Sequence, residues 1–160
     1  ELLFHPLPVA LALAVGGIAL ILLERRPPAV TVSSIEALSY KQSFFIGCFQ
    51  TLALWPGFSR AGATIMGGML LGLERTVAAE FSFLVAVPVM FAATLYDLYK
   101  SYDSLGAGAF DELAIGFFVS WVVALLAIRT FIGLLKKFSL EVFGWYRIVL
   151  AVIVVALLSR

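Results

Sequence analysis

The chain has 160 residues, of which 62% are apolar and 13% charged, with a mean hydropathy of +1.07. Soluble domains hold about 45–50% apolar and about 25% charged residues, so the composition excludes an ordinary water-soluble fold and describes an integral membrane protein. A formal net charge of +1 without a run of Lys and Arg gives no footprint for nucleic acid, and the single cysteine, Cys48, excludes an internal disulfide, a redox pair or a CxxC zinc site.

A bilayer core of about 30 Å needs about 20 apolar residues in helical form. Four segments meet or approach that length, at residues 6–23, 77–96, 113–135 and 142–158, giving an all-α membrane fold with four transmembrane helices. The first ends at Arg25-Arg26-Pro27-Pro28, where paired prolines cannot continue it. A polar linker at 31–34 then leads into a capped interfacial turn at Ile35-Glu36. The next apolar stretch, 44–73, is split by Pro56-Gly57 into two arms too short to cross separately. It reads as a re-entrant hairpin over about 42–73, and such broken backbone at membrane depth is tolerated only where protein or a wet cavity surrounds it. The segment 101–111, with Gly106 and Gly108, reads as a flexible external loop. Ala63/Gly67 and Gly68/Gly72 have the spacing of close helix packing.

Lys and Arg distribute unevenly between the spans. One side collects Arg25, Arg26, Lys41, Arg75, Lys136 and Lys137, with Arg129 and Arg147 near enough to snorkel toward it; the other holds only Lys100 and Arg160. The positive-inside bias puts the first side in the cytoplasm and Asp103, Asp111 and Glu112 outside, so the hairpin rises from the cytoplasm with its tip in the outer half. The chain opens at Glu1 with no initiator Met and no charged region before a cleavage site, which is expected of a single transmembrane domain, 1–160, cut from a longer protein.

Arg60 is the residue that composition does not explain. A guanidinium inside an apolar stretch is unfavourable by at least about 2.5–3.5 kcal/mol and normally faces an anion or a wet cavity. Ser59 is placed to cap a short helix beginning at Arg60, whose first N–H groups lack intrahelical partners and whose dipole favours an anion. A phosphate fits there. Arg60 offers a planar fork, Ser59 and Thr64 offer hydroxyls, and Gly57 and Gly62 allow close backbone approach, although Thr64 on its own reads more often as a helix-packing or back-bonding residue than as a ligand. Gln50 either bonds the ligand or ties two helices together. The plainer reading of Arg60 is a structural cation paired with Glu80 or with carbonyls. Glu80 and Asp97 mark the ends of one span and read as solvated, His5 as interfacial.

Gly47-Cys-Phe-Gln-Thr-Leu-Ala-Leu-Trp-Pro-Gly-Phe-Ser-Arg-Ala-Gly-Ala-Thr-Ile65, followed by Gly67-Gly-Met-Leu-Leu-Gly72, Ala79-Glu-Phe-Ser-Phe-Leu-Val-Ala-Val-Pro88 and Asp97-Leu-Tyr-Lys-Ser101, resembles the bacterial undecaprenyl-diphosphate phosphatases of the bacitracin-resistance type. The resemblance implies two inverted-topology repeats, each with a re-entrant hairpin, of which this chain is similar to the second. It implies removal of the terminal phosphate from the C55 polyprenyl diphosphate carrier of peptidoglycan synthesis, in the bacterial inner membrane, at a site open to the outer face. Arg60 would grip the diphosphate, with Ser59 and Thr64 completing the catalytic pocket and Gly57, Gly62 and Gln50 contacting substrate. Two departures stand out: Ala61 replaces a serine common in relatives, and the family's glutamate-rich motif with serine and histidine is absent, His5 not matching it.

The implied partners are the polyprenyl diphosphate lipid, the membrane and the missing N-terminal repeat, with no nucleic acid and with a homodimer left open. No cofactor or metal is expected in this chain, although the complete enzyme could use a divalent cation such as Mg or Ca. The competing reading is a lipid flippase or anion transporter, since half-helix N-termini aimed at an anion within inverted repeats also describe transporters.

Overall fold

The computed structural model describes residues 5–102 and 109–158, the side chains of 109 and 110 excepted. Among them lie six α-helices and no β-strand: α1 (Pro6–Arg25), α2 (Tyr40–Gln50), α3 (Arg60–Leu70), α4 (Arg75–Ser101), α5 (Ala109–Lys137) and α6 (Glu141–Leu158), with 3-10 turns at Ile35–Ala37 and Thr51–Leu54. Most of the expected external loop, with Asp103, Gly106 and Gly108, lies outside the described residues, as does Arg160. Helices α1, α4, α5 and α6 are long and apolar enough to cross a membrane. They contain the four expected spans, and α4 and α5 extend beyond them at both ends.

Local chemistry sets the boundaries. Pro6 occupies the first turn of α1, where its missing N–H is no loss, and the helix stops at Arg25, ahead of Pro27-Pro28. Ser39 begins α2 with a capping box, accepting from the Gln42 N–H while the Gln42 side chain accepts from the Ser39 N–H. The expected cap of α3 is present: Ser59 accepts from the Gly62 N–H at 3.1 Å. Helix α3 ends in a Schellman turn, with Leu73 N–H donating to Gly68 C=O and Gly72 N–H to Met69 C=O. The left-handed position falls to Gly72, at φ +87°.

Helices α2 and α3 form a hairpin whose ends return to one end of the bundle. Gln42, at the start of α2, donates to the carbonyl of Leu71 at the end of α3. Between them Gly67 packs on Phe49, where a Cβ would lie 2.6 Å from the ring. Each arm has 11 residues, about 16 Å of helix at about 1.5 Å per residue. Helix α3 is then enclosed by α1, α2 and α4, so its run from Ala63 to Met69 is buried on every side. Gly68 against Ala78 and Thr64 against Ser82 fix an antiparallel register between α3 and α4.

The core gathers at the end where the hairpin enters, from Leu20, Val32, Ile46, Met66, Met69, Leu73, Leu135 and Leu140. The linker after α1 is pinned there by Thr31 and Val32 N–H groups donating to Gly72 C=O, and by Glu74 N–H donating to Val32 C=O. Two ion pairs close the same end, Arg75 with Glu24 and Arg25 with Glu141. Helix α5 contrasts with this, only 6% of its most apolar window being buried, so its surface is dressed for lipid or another apolar protein face. Helices α1 and α6 make the most extensive pairing, antiparallel, through Gly17 and Gly144.

Gly72→Ala should lower stability by about 1–2 kcal/mol, because an L side chain disfavours the left-handed turn and its Cβ would strike the Thr31 hydroxyl. Thermal unfolding in detergent checks this; an unchanged midpoint would show that the turn can be rebuilt.

Candidate functional site

The break between the hairpin arms is built by five residues, 55–59. After the 3-10 turn, Trp55 turns to extended backbone, Phe58 N–H closes on Trp55 C=O at 3.0 Å, and Gly57 takes φ +93°. Gly57 lies so close to α1 that a Cβ would sit 2.5 Å from the Val9 carbonyl oxygen. Val9 is in the first turn of α1, roughly 24 Å along that helix from Arg25 at about 1.5 Å per residue, so the tip reaches far across the bundle.

Helix α3 starts from this tip. Ser59 satisfies the Gly62 N–H, and Ala63 N–H donates to Ser59 C=O, which leaves the first N–H groups of the helix without intrahelical acceptors. Ser59 uses its oxygen in the cap and keeps its hydroxyl hydrogen for another partner. Arg60 is the first helical residue and half-buried; its Nη1 is sealed from solvent and has no hydrogen-bond partner. Among the described residues no ion pair joins it to Glu80, which the antiparallel register sets opposite Met66, past the first turn of α3. Gln50 carries a second orphan, its Oε1 being buried and unpartnered, so that atom does not tie helices together. Orphaned buried donors and acceptors are rare in native folds, and two of them flank this break.

Thr64 lies elsewhere. At 1% exposure its Oγ1 is 2.6 Å from Ser82 Oγ on α4 and also reaches the Arg60 and Ala61 carbonyls, at 3.0 and 3.1 Å. Its bonds hold the first turn of α3 against α4 rather than opening toward a cavity. Gly57, Ser59, Ala61 and Gly62 instead line a cavity of about 320 Å³ with Leu13, Phe131, Phe143, Tyr146 and Arg147. Arg60 is not on its wall. The five residues expected around Arg60 therefore divide: Gly57, Ser59 and Gly62 share one cavity, while Thr64 and Gln50 stand apart from it.

Arg147 is the residue sequence reasoning missed. It does not snorkel toward the basic end: it is 7% exposed, donates from Nη2 to Gly57 C=O at 2.9 Å and, more weakly, from Nε to Leu13 C=O at 3.5 Å. Its guanidinium also lies 5.9 Å from the Phe58 ring centroid. The available signal was the one that singled out Arg60, a cation well inside an apolar span. Helix α6 (Glu141–Leu158) places Arg147 two turns in, and Gly16 on α1 makes room for it, a Cβ there falling 2.6 Å from Nη2.

The described residues contain no group of three or more His, Cys, Asp or Glu side chains able to hold a metal ion. A second cavity, about 370 Å³, lies at the ion-paired end and is lined by Glu24, Glu74, Arg75 and Lys136 among others.

Thr64→Val should destabilise by about 1–3 kcal/mol, since it leaves the buried Ser82 hydroxyl without its partner. The double variant Thr64→Val/Ser82→Ala should recover much of that loss. Thermal unfolding of the parent, Thr64→Val, Ser82→Ala and the double variant checks the pairing; additive losses would contradict it.

The chain matches the family described as Bacitracin resistance protein BacA over residues 1–153. It is 52% identical over 149 residues to an undecaprenyl-diphosphatase of Solidesulfovibrio magneticus, an alignment covering 93% of this chain and 56% of the relative. The chain thus spans a little over half the length of the curated relative it matches.

Proposed function

Because the chain belongs to the bacitracin resistance protein BacA family, we propose that it supplies the phosphate-binding half of an undecaprenyl-diphosphate phosphatase site, releasing phosphate from the lipid diphosphate and returning the monophosphate carrier to cell-wall synthesis. The observation that carries this reading is Arg60 at the N-terminus of α3, with a buried Nη1 that no protein group accepts from. A guanidinium with one nitrogen buried and unpaired in an apolar protein is poised for an anion brought in by substrate. The name of the Solidesulfovibrio magneticus relative supports the choice of substrate.

Hydrolysis of a phosphoanhydride is largely positioning and neutralisation of charge on the phosphoryl oxygens. Arg60 would take one or two of those oxygens, and the open N–H groups at the start of α3 would take another, aided by the helix dipole. Ser59 would donate its unused hydroxyl hydrogen. These donors sit in low-dielectric surroundings, where fixed dipoles act most strongly on charge that grows in the transition state. In this reading the chain contributes the guanidinium and the helix end. The attacking group and the acid would come from the matching half of the site. With Arg25, Arg26, Lys41, Arg75, Lys136 and Lys137 at one end of the bundle, that end would face the cytoplasm, the tip at Gly57 would point outward, and the prenyl chain would lie along apolar helix surface.

Arg60→Ala should lower kcat by about 10²–10³, the scale of losing one charge-stabilising donor, while the protein still inserts and folds. Phosphate released from undecaprenyl diphosphate by the chain assembled with the matching half of the site measures this, and Arg60→Lys should fall between. Release unchanged in Arg60→Ala would remove Arg60 from the mechanism.

A further inference from the structure

We infer that Arg147 is a positioning residue for the anion-binding end of α3, acting through the Gly57 carbonyl rather than through the substrate. The inference rests on the reading of Arg60 given above and extends it to how the α3 N-terminus is held.

Two anchors fix the start of α3, one on each side of Arg60. After it, Thr64 bonds Ser82 on α4. Before it, the backbone leaves helical geometry at residues 55–59, and the Gly57 carbonyl lies outside any helix. That carbonyl is taken by Arg147 Nη2 at 2.9 Å, from a residue 90 positions away in the chain. The same guanidinium reaches Leu13 C=O on α1 through Nε and stacks over Phe58, the residue after Gly57. Arg147 therefore joins three pieces, α1, α6 and the break, at one planar group.

The arrangement is demanding enough to call for a reason beyond cohesion. Among the described residues Arg147 has no carboxylate partner, so a full charge is buried against two carbonyl dipoles and the face of Phe58. Gly16 has no side chain where one would collide with the guanidinium, and a Cβ on Gly62 would lie 3.4 Å from Nη1. Cohesion of α1 with α6 needs none of this, since Gly17, Gly144 and the neighbouring alanines already bring those helices together. What the guanidinium adds is a fixed position for Gly57, and hence for the Ser59 cap and the Arg60 side chain two and three residues later. A displacement of about 1 Å at such a point is enough to reduce turnover about hundredfold.

The test is Arg147→Met, which keeps bulk but no donor, with Arg147→Lys as the variant that keeps one donor and folds more readily. Kinetics use undecaprenyl diphosphate and the chain assembled with the matching half of the site, normalised to folded protein, beside Arg60→Ala; backbone hydrogen exchange is read over residues 55–62. The expected result for Arg147→Met is kcat lower by about 30- to 100-fold, KM within about threefold, and faster exchange confined to 55–62, with Arg147→Lys recovering part of the turnover. Exchange unchanged at 55–62 would overturn the inference, whether turnover is kept or lost. Faster exchange spread over α1 and α6 would overturn it as well, by making Arg147 a general support. If Arg60→Ala is inactive while Arg147→Met matches the parent, only this inference falls; if Arg60→Ala is fully active, the reading of Arg60 falls with it.

Discussion

A backbone broken in apolar surroundings has to find its hydrogen bonds inside the protein, and the rest of this structure follows from how that is done between Trp55 and Arg60. Pro56 and Gly57 stop one helical arm, Ser59 starts the next, and in between a carbonyl and several N–H groups lose their helical partners. The carbonyl of Gly57 is satisfied by Arg147 and the Gly62 N–H by Ser59. The first N–H groups of α3 have no intrahelical acceptor, and the Arg60 Nη1 is buried without a partner. What the fold satisfies is scaffold, and what it leaves unsatisfied is available to a ligand.

The two arginines illustrate the distinction. Both are cations within apolar stretches of the chain, where a charge is unfavourable unless it is engaged. Arg147 is engaged by two carbonyls and an aromatic face, so its charge is spent on architecture. Arg60 has an orphaned nitrogen, and its neighbour across the break, Gln50, has an orphaned oxygen. Buried orphans of this kind are rare in native folds, and a ligand that bonds them would relieve both.

Much of this was legible in the sequence because it depends on local chemistry. Pro56-Gly57 announces the break, Ser59 the cap, Pro27-Pro28 the end of α1, and the lengths of apolar runs the four long helices. The small residues at Gly67 and Gly68 mark close packing, and the structure sets them against Phe49 and Ala78. The rest depends on which helix meets which. Nothing near Thr64 in the chain says that Ser82 will take its hydroxyl, so its bonding toward α4 was not visible. Arg147 was read from its distance to the basic end of the bundle, whereas its surroundings are set by Gly16 and Gly57, far away in sequence and close only once α6 lies on α1.

The central claim is that the unpartnered guanidinium of Arg60 is held for a phosphoryl group. A structure of the protein with a non-hydrolysable, methylene-bridged polyprenyl diphosphate tests it most directly. The account requires a phosphate oxygen about 2.7–2.9 Å from an Arg60 nitrogen, with the group seated against the first N–H groups of α3. A diphosphate bound elsewhere, with Arg60 Nη1 still facing no acceptor, would contradict it.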